Sequence, residues 1–479
     1  MSPGPAPRPA TATAAPQAPP AYRDAGVLRW LAAYTLSVLG DGVFFLALGW
    51  AAQRTAGPAE TGVVMAVGSV PRAVLMLGGG VVADRFGPRL VVIGADAARC
   101  VLILAGAAAV GIAAPGLWLL VAVALAFGAA DALFLPAVGA LPARLAPPEE
   151  LGRIAGLRLL ALRLGGAAAA PVGGYALVLG GPAAAFAAAG LLFAASVPLL
   201  TTLRVRPLPA GGARDDAHRP DTDTDAGAGA ARRRRGRLRR RPRPGPGPRR
   251  HSAGAGRELR EGLRYVRGHR LVGPLVLSGA ISEFGLNGPL SVGLVLLAAE
   301  RGWGAAGLGW LVGAFGLGAG AGALLLAVAG GLPRPGIVHI VTLVVSGAAL
   351  GSVALAPSPG LAVAACGLGG LAGGVCGGLA YALIQTSAAP AYLGRVTAAT
   401  SLTGLGLAPL CYPLVGAAVG AWGSAPVFLA CGAFSCLGAV VCLAAPAVRR
   451  AELPRARGPR RRRGAGTGPL ADPPPVPAP

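Results

Sequence analysis

The chain has 479 residues, of which 54% are apolar and only 13% charged, and its mean hydropathy is +0.62. Soluble proteins carry about 25% charged residues, so this balance excludes an ordinary soluble domain and points to a membrane protein crossed many times. The formal net charge is +24, carried entirely by arginine because no lysine occurs. The arginine runs lie in loops beside apolar stretches, which favours membrane topology over nucleic-acid binding.

Residues 1–26 are rich in Pro and Ala and read as a disordered, cytoplasmic N-terminus. A span needs about 20 apolar residues. Twelve such segments follow, near 28–52, 61–82, 89–112, 116–140, 151–179, 182–203, 269–298, 305–329, 336–356, 360–385, 395–420 and 424–446. The sixth loop, 204–268, contains "RRRRGRLRRRPRPGPGPRR" and reads as a disordered basic linker between an N-terminal half, 27–203, and a C-terminal half, 269–446. The tail, 447–479, is basic and Pro-rich and is also expected to be disordered.

Arginine distribution sets the orientation. Arg54 lies in the first loop and Arg301 in the seventh, but most arginines lie in even-numbered loops: Arg85 and Arg89 in the second, Arg144 in the fourth, the long run in the sixth, Arg334 in the eighth and Arg395 in the tenth. The third, fifth, ninth and eleventh loops are short and free of arginine. By the positive-inside rule the even-numbered loops and both termini face the cytoplasm of a cell inner membrane. The seven cysteines fall in apolar stretches without a CxxC pair and read as small buried hydrophobes.

The halves repeat. "LGRIAG" at 151–156 opens the fifth segment and "LGRVTA" at 393–398 opens the eleventh, an offset of 242 residues. The first and seventh segments start at nearly that offset, and Asp41 maps onto Glu283 by the same shift. Parallel six-span repeats are expected.

Between the second and third segments lies "GGVVADRFGPRL", residues 79–90. Gly80, Asp84, Arg85, Gly87 and Arg89 resemble the signature Gly-x-x-x-Asp-Arg-x-Gly-Arg-Arg/Lys of the major facilitator superfamily, with Pro88 in place of the first basic residue of the final pair. The resemblance covers nearly all of 28–446. It implies an all-α membrane protein of twelve transmembrane helices in two pseudo-symmetric six-helix halves. It also implies that Asp84 caps the start of the eleventh helix, near Arg395, when the cytoplasmic side is closed. "LGDGVFFLALGW", "VVADRFGPR" and "GADAARC" look similar to the enterobactin-exporter and macrolide-efflux branch.

Acids inside spans are expensive and usually functional. Asp41 and Glu283 sit midway along the first and seventh segments, and Asp131 lies past the middle of the fourth. In the superfamily the first, fourth, seventh and tenth helices line the cavity. The resemblance therefore makes Asp41, Asp131 and Glu283 candidates to meet substrate and exchange protons, with Asn287 on the face of Glu283. Asp96 and Arg99, three residues apart, read as a structural ion pair. In "GGAAAAPVGG", residues 165–174, Pro171, Gly173 and Gly174 are similar to the fifth-helix motif of drug–proton antiporters. Pro289 marks a place where the seventh helix is expected to be irregular.

No phosphate-binding loop, metal-ligand spacing or catalytic set occurs, so neither an enzyme nor a cofactor is expected. The expected function is proton-coupled efflux of a small amphipathic organic molecule, by a protein taken to be a monomer that meets lipid, protons and its substrate. An uptake permease of the same fold and a non-transporting membrane sensor are the alternatives.

Overall fold

A computed structural model describes residues 23–112, 116–146, 150–203, 255–329, 333–389 and 392–452. Most of the stretches expected to be disordered, 1–22, 204–254 and 453–479, lie outside the described residues. Among the described residues all regular structure is helical. A chain in lipid must satisfy its backbone polar groups internally, and Ala- and Leu-rich segments do so as helices.

The first half holds α1 (Ala25–Thr55), α2 (Pro58–Phe86), α3 (Pro88–Ile112), α4 (Leu117–Ala140), the short α5 (Pro142–Leu145) and α6 (Leu151–Thr201). Asp24 caps α1 by accepting from the backbone N–H groups of Gly26 and Val27 at 2.7 and 3.2 Å. Prolines open α2 and α3, where the missing N–H costs nothing. The 51-residue α6 covers both the fifth and sixth expected segments, and its backbone leaves the helical region at Gly180 and Gly181. Gly181 has φ +64°, which explains why the break falls on glycine.

The second half holds α7 (Ala255–Gly268), α8 (Val272–Gly288), a π-helical turn (Pro289–Gly293), α9 (Leu294–Glu300), α10 (Gly304–Val328) and α11 (Pro335–Ser352). It continues with α12 (Pro359–Ser387), α13 (Leu393–Gly406), α14 (Ala408–Trp422), α15 (Ser424–Ala444) and the short α16 (Pro446–Arg449). The π turn falls at Pro289, the position of expected irregularity. Nine helical segments among the described residues are long and apolar enough to cross a membrane. The repeat is visible in the backbone, because α6 begins at Leu151 and α13 at Leu393.

One expectation needs correction. The end of the linker, Ala255–Gly268, is not disordered but forms α7. Its Tyr265 ring stacks on Tyr392 with centroids 4.4 Å apart, and Glu261 pairs with Arg395 at 3.2 Å. Val266 is buried and Gly262 lies against Arg395, so α7 packs on the start of α13.

The apolar core has three parts. One contains only first-half residues, among them Val27, Trp30, Val92, Ile154 and Leu200. Another contains only second-half residues, including Val266, Val272, Ile340 and Val448. The third joins the halves: Phe44, Leu48 and Met65 share it with Val295, Leu297, Leu308 and Val419. The halves are therefore fused at the end where α1 finishes and α2 begins, and have separate cores at the end that holds Ala25 and Arg449.

Glycines make the fused end close. A Cβ on Gly62 of α2 would lie 2.4 Å from the Tyr412 carbonyl oxygen of α14. One on Gly174 of α6 would lie 3.0 Å from the Cα of Gly309 on α10. Both gaps are too small for a larger residue without a shift of backbone.

Candidate functional site: a buried charge network beside a cavity between the halves

Helix α3 sets the centre of the site. Asp96 and Arg99, three residues apart, share one face and pair through Arg99 Nη2. Arg99 is fully buried, and its Nη1 also reaches Asp41 of α1 at 2.8 Å and Asp131 of α4 at 3.1 Å. Asp131 pairs in turn with Arg72 of α2. Ser37 and Ser196 donate to Asp96 Oδ2 at 2.7 and 2.5 Å. Five charged side chains on four helices thus form one network, where the sequence suggested a separate structural pair and two separate functional acids.

Energetics explain the crowding. A lone arginine at a helix centre costs about 2.5–3.5 kcal/mol on insertion scales, and leaving a buried ion pair with one partner costs about 3–5 kcal/mol. Three carboxylates around Arg99 offset that penalty. Aromatic faces offset it further, with the Phe134 and Phe193 rings 4.1 and 4.7 Å from the guanidinium carbon. The network holds three carboxylates and two guanidiniums, so with all five ionised it carries one negative charge in excess.

A cavity of about 360 Å³ adjoins the network between the halves. Gly42, Phe45, Leu46, Met65, Ser69 and Arg72 line it from the first half, and Asn287, Leu290, Ser291, Val295, Val312, Gly404, Ala408 and Tyr412 from the second. The Tyr412 hydroxyl donates to Asn287 Oδ1 at 3.2 Å, and Ser291 donates to the same oxygen at 3.4 Å.

The candidates divide on this geometry. Asn287 lines the cavity. Asp41 is not a lining residue, although it precedes Gly42, which is, and its carboxylate side chain is 18% exposed. Asp131 is 1% exposed and points at the two arginines rather than at the cavity. Glu283 is exposed on α8, one turn before Asn287, and is not a lining residue. It pairs with no described residue, so its environment differs from that of Asp41 despite their common offset. Pro171, Gly173 and Gly174 lie where α6 meets the other half and α1, with Gly174 on Gly309 and Gly173 on Leu46.

In the loop, Gly87 has φ +84° and Pro88 opens α3, so the departure from the signature gives a helix start. Arg89 donates to the Thr201 carbonyl at the end of α6, and Arg85 lies over the Phe86 ring at 5.6 Å. The side chains of Gly80 and Asp84 lie outside those described.

Arg72 was missed in the sequence. It follows Pro71 within an apolar span, and its partner Asp131 is 59 residues away, so no local spacing marks it. Its signal was a single intramembrane cation, which ranks with the acids as an expensive residue.

A helical bundle whose halves share a core at one end, with a polar cavity between them, is the architecture of a multi-pass membrane transporter. The sequence matches the family model described as Major Facilitator Superfamily over residues 30–403, and the chain belongs to that family. A comparison with curated proteins finds no match. Among solved structures, a single-residue variant of the nucleoside transporter NupG superposes with TM-score 0.64 at 12% identity, covering 88% of this chain and 99% of that one. A bacterial homologue of the human lysosomal transporter Spinster, inward-facing and occupied, gives 0.64 at 15% identity, covering 88% and 97%. Its inward-facing, unoccupied form gives 0.60 at 16%, covering 89% and 98%. These likenesses describe the fold.

Proposed function

We propose that the chain is a proton-coupled secondary transporter that moves a small amphipathic organic molecule by alternating access. The observation that carries the reading is the buried network of Asp41, Asp96, Asp131, Arg72 and Arg99, with one acid in excess, at the wall of a cavity between two halves. Asp41 is the acid of the three with an open edge, so it is the proton carrier in this reading. Loading it neutralises the network, and unloading it restores a charge that biases the halves toward the other state.

With both termini cytoplasmic, the fused end is the outer one, and the described state opens inward. Asp84 then serves the opposite state, by capping α13 once the inner side closes. Export is the direction supported by the resemblance to efflux proteins. Uptake is the second reading, and one observation favours it: the cavity wall carries a cation, Arg72, rather than a carboxylate. The test is purified protein in liposomes of defined orientation, a panel of labelled amphipathic solutes, and an imposed pH gradient. Flux that collapses with a protonophore supports the reading, and its sign gives the direction. Gradient-independent flux, or none for any solute, counts against it.

A further inference from the structure

The chemistry of the solute can be read from the cavity, given the transport reading above. Arg72 is the one charged side chain lining it among the described residues. The guanidinium uses Nε toward Asp131, and its two terminal amino groups bond to no described residue. The Phe45 ring lies 5.5 Å from its central carbon and holds the group in place. Across the cavity, Asn287 Oδ1 is already occupied by the Tyr412 and Ser291 hydroxyls. Its Nδ2 has only the Gly404 carbonyl at 3.5 Å, too long to be a strong bond. The N–H groups left open to a ligand are therefore those of the Arg72 amino groups and the Asn287 amide, and the other polar lining, the hydroxyls of Ser69, Ser291 and Tyr412, is uncharged.

We propose that the cavity selects an amphipathic organic oxyanion, with a carboxylate, sulfonate or phosphate set on Arg72 and Asn287 and an apolar body on the Leu290 and Val312 side. A guanidinium presents paired donors that match the oxygens of such a group. The volume of about 360 Å³ suits a small organic molecule. The charge count then links the two ligands. A bound anion adds a second negative charge to the network, and a proton on Asp41 removes one, so anion and proton load together rather than in competition. A cationic solute would do the reverse. Joint loading sends the solute the way the proton runs, so for an anionic solute the charge count selects uptake, the second of the two directions above, over export.

The test uses the full chain in nanodiscs and three probes that share one ring system: naphthoate, naphthalenesulfonate and naphthyltrimethylammonium. Equilibrium binding and thermal shift are read from acid to neutral pH. The two anions should bind, more tightly in acid than their own ionisation explains, and the ammonium should not. Arg72→Gln should weaken anion binding at least about tenfold, the scale of a lost charge-assisted hydrogen bond. Arg72→Lys should keep the preference for anions should the Gln variant misfold, and Asn287→Ala should weaken binding while keeping that preference. Preference for the ammonium, equal binding of all three, or binding of none overturns the proposal. The two readings fail separately. Anion binding without gradient-driven flux removes proton coupling and leaves the solute class. Gradient-driven flux of the ammonium alone removes the class and leaves coupling.

Discussion

Asp41 holds Arg99 at 2.8 Å across two helices, and of the three acids around that guanidinium it alone has an accessible carboxylate. Asp96 and Asp131 are closed off on every side, with side-chain exposures of 0% and 1%. The three acids therefore have different work. Asp96 and Asp131 fix the arginines, while Asp41 has one face on the ion pair and one left accessible.

Arg99 is the structural centre of the first half. Arg99→Ala leaves two fully buried carboxylates without their common partner, a loss of about 3–5 kcal/mol. Thermal unfolding in detergent should show a much lower midpoint and a reduced yield of monodisperse protein. A wild-type melting curve for this variant would mean that the network does not hold the helices together.

The fused end must part for solute to leave by that side. Gly174→Leu sets a branched side chain where a Cβ alone would stand 3.0 Å from the Gly309 Cα, so it should hold the fused end apart. Labelling of a cysteine introduced at that end by a membrane-impermeant thiol reagent should rise, and transport should fall. Wild-type labelling and flux in this variant would show that the contact does not govern opening.

Tyr412→Phe removes the hydroxyl that holds Asn287 and leaves the ring in place. A hydrogen bond of this kind contributes about 0.5–1.5 kcal/mol, so the apparent KM should rise roughly two- to tenfold with little change in maximal rate. A change confined to maximal rate would assign Tyr412 to the conformational step instead.

Much of this architecture was legible in the residues. Apolar length located the helices, and the break between the fifth and sixth expected segments falls on Gly180–Gly181, between the limits read at 179 and 182. The pair Asp96 and Arg99 was visible because three-residue spacing is a local property of a helix. The connection of Arg99 to Asp41 and Asp131 was not, because it depends on how α1, α3 and α4 pack, and no periodicity reports which faces meet. Arg72 was lost among apolar neighbours for the same reason. Sequence offset also misled: it equated Asp41 with Glu283, yet Asp41 has an arginine beside it and Glu283 has no such partner among the described residues. The helix α7 was hidden by its setting in an arginine- and proline-rich linker, although its apolar spacing was there to be read.

The measurement that bears most directly on proton coupling is a comparison of two assays on Asp41→Asn. The asparagine keeps the size of the side chain but carries no titratable proton. In liposomes, exchange of labelled for unlabelled solute at equal pH should proceed at a rate near wild type. Uphill accumulation driven by a pH gradient should be lost, and the pH dependence of exchange should flatten. Accumulation by Asp41→Asn at the wild-type level would contradict the account, because the proton would then travel by a route that does not include this carboxylate.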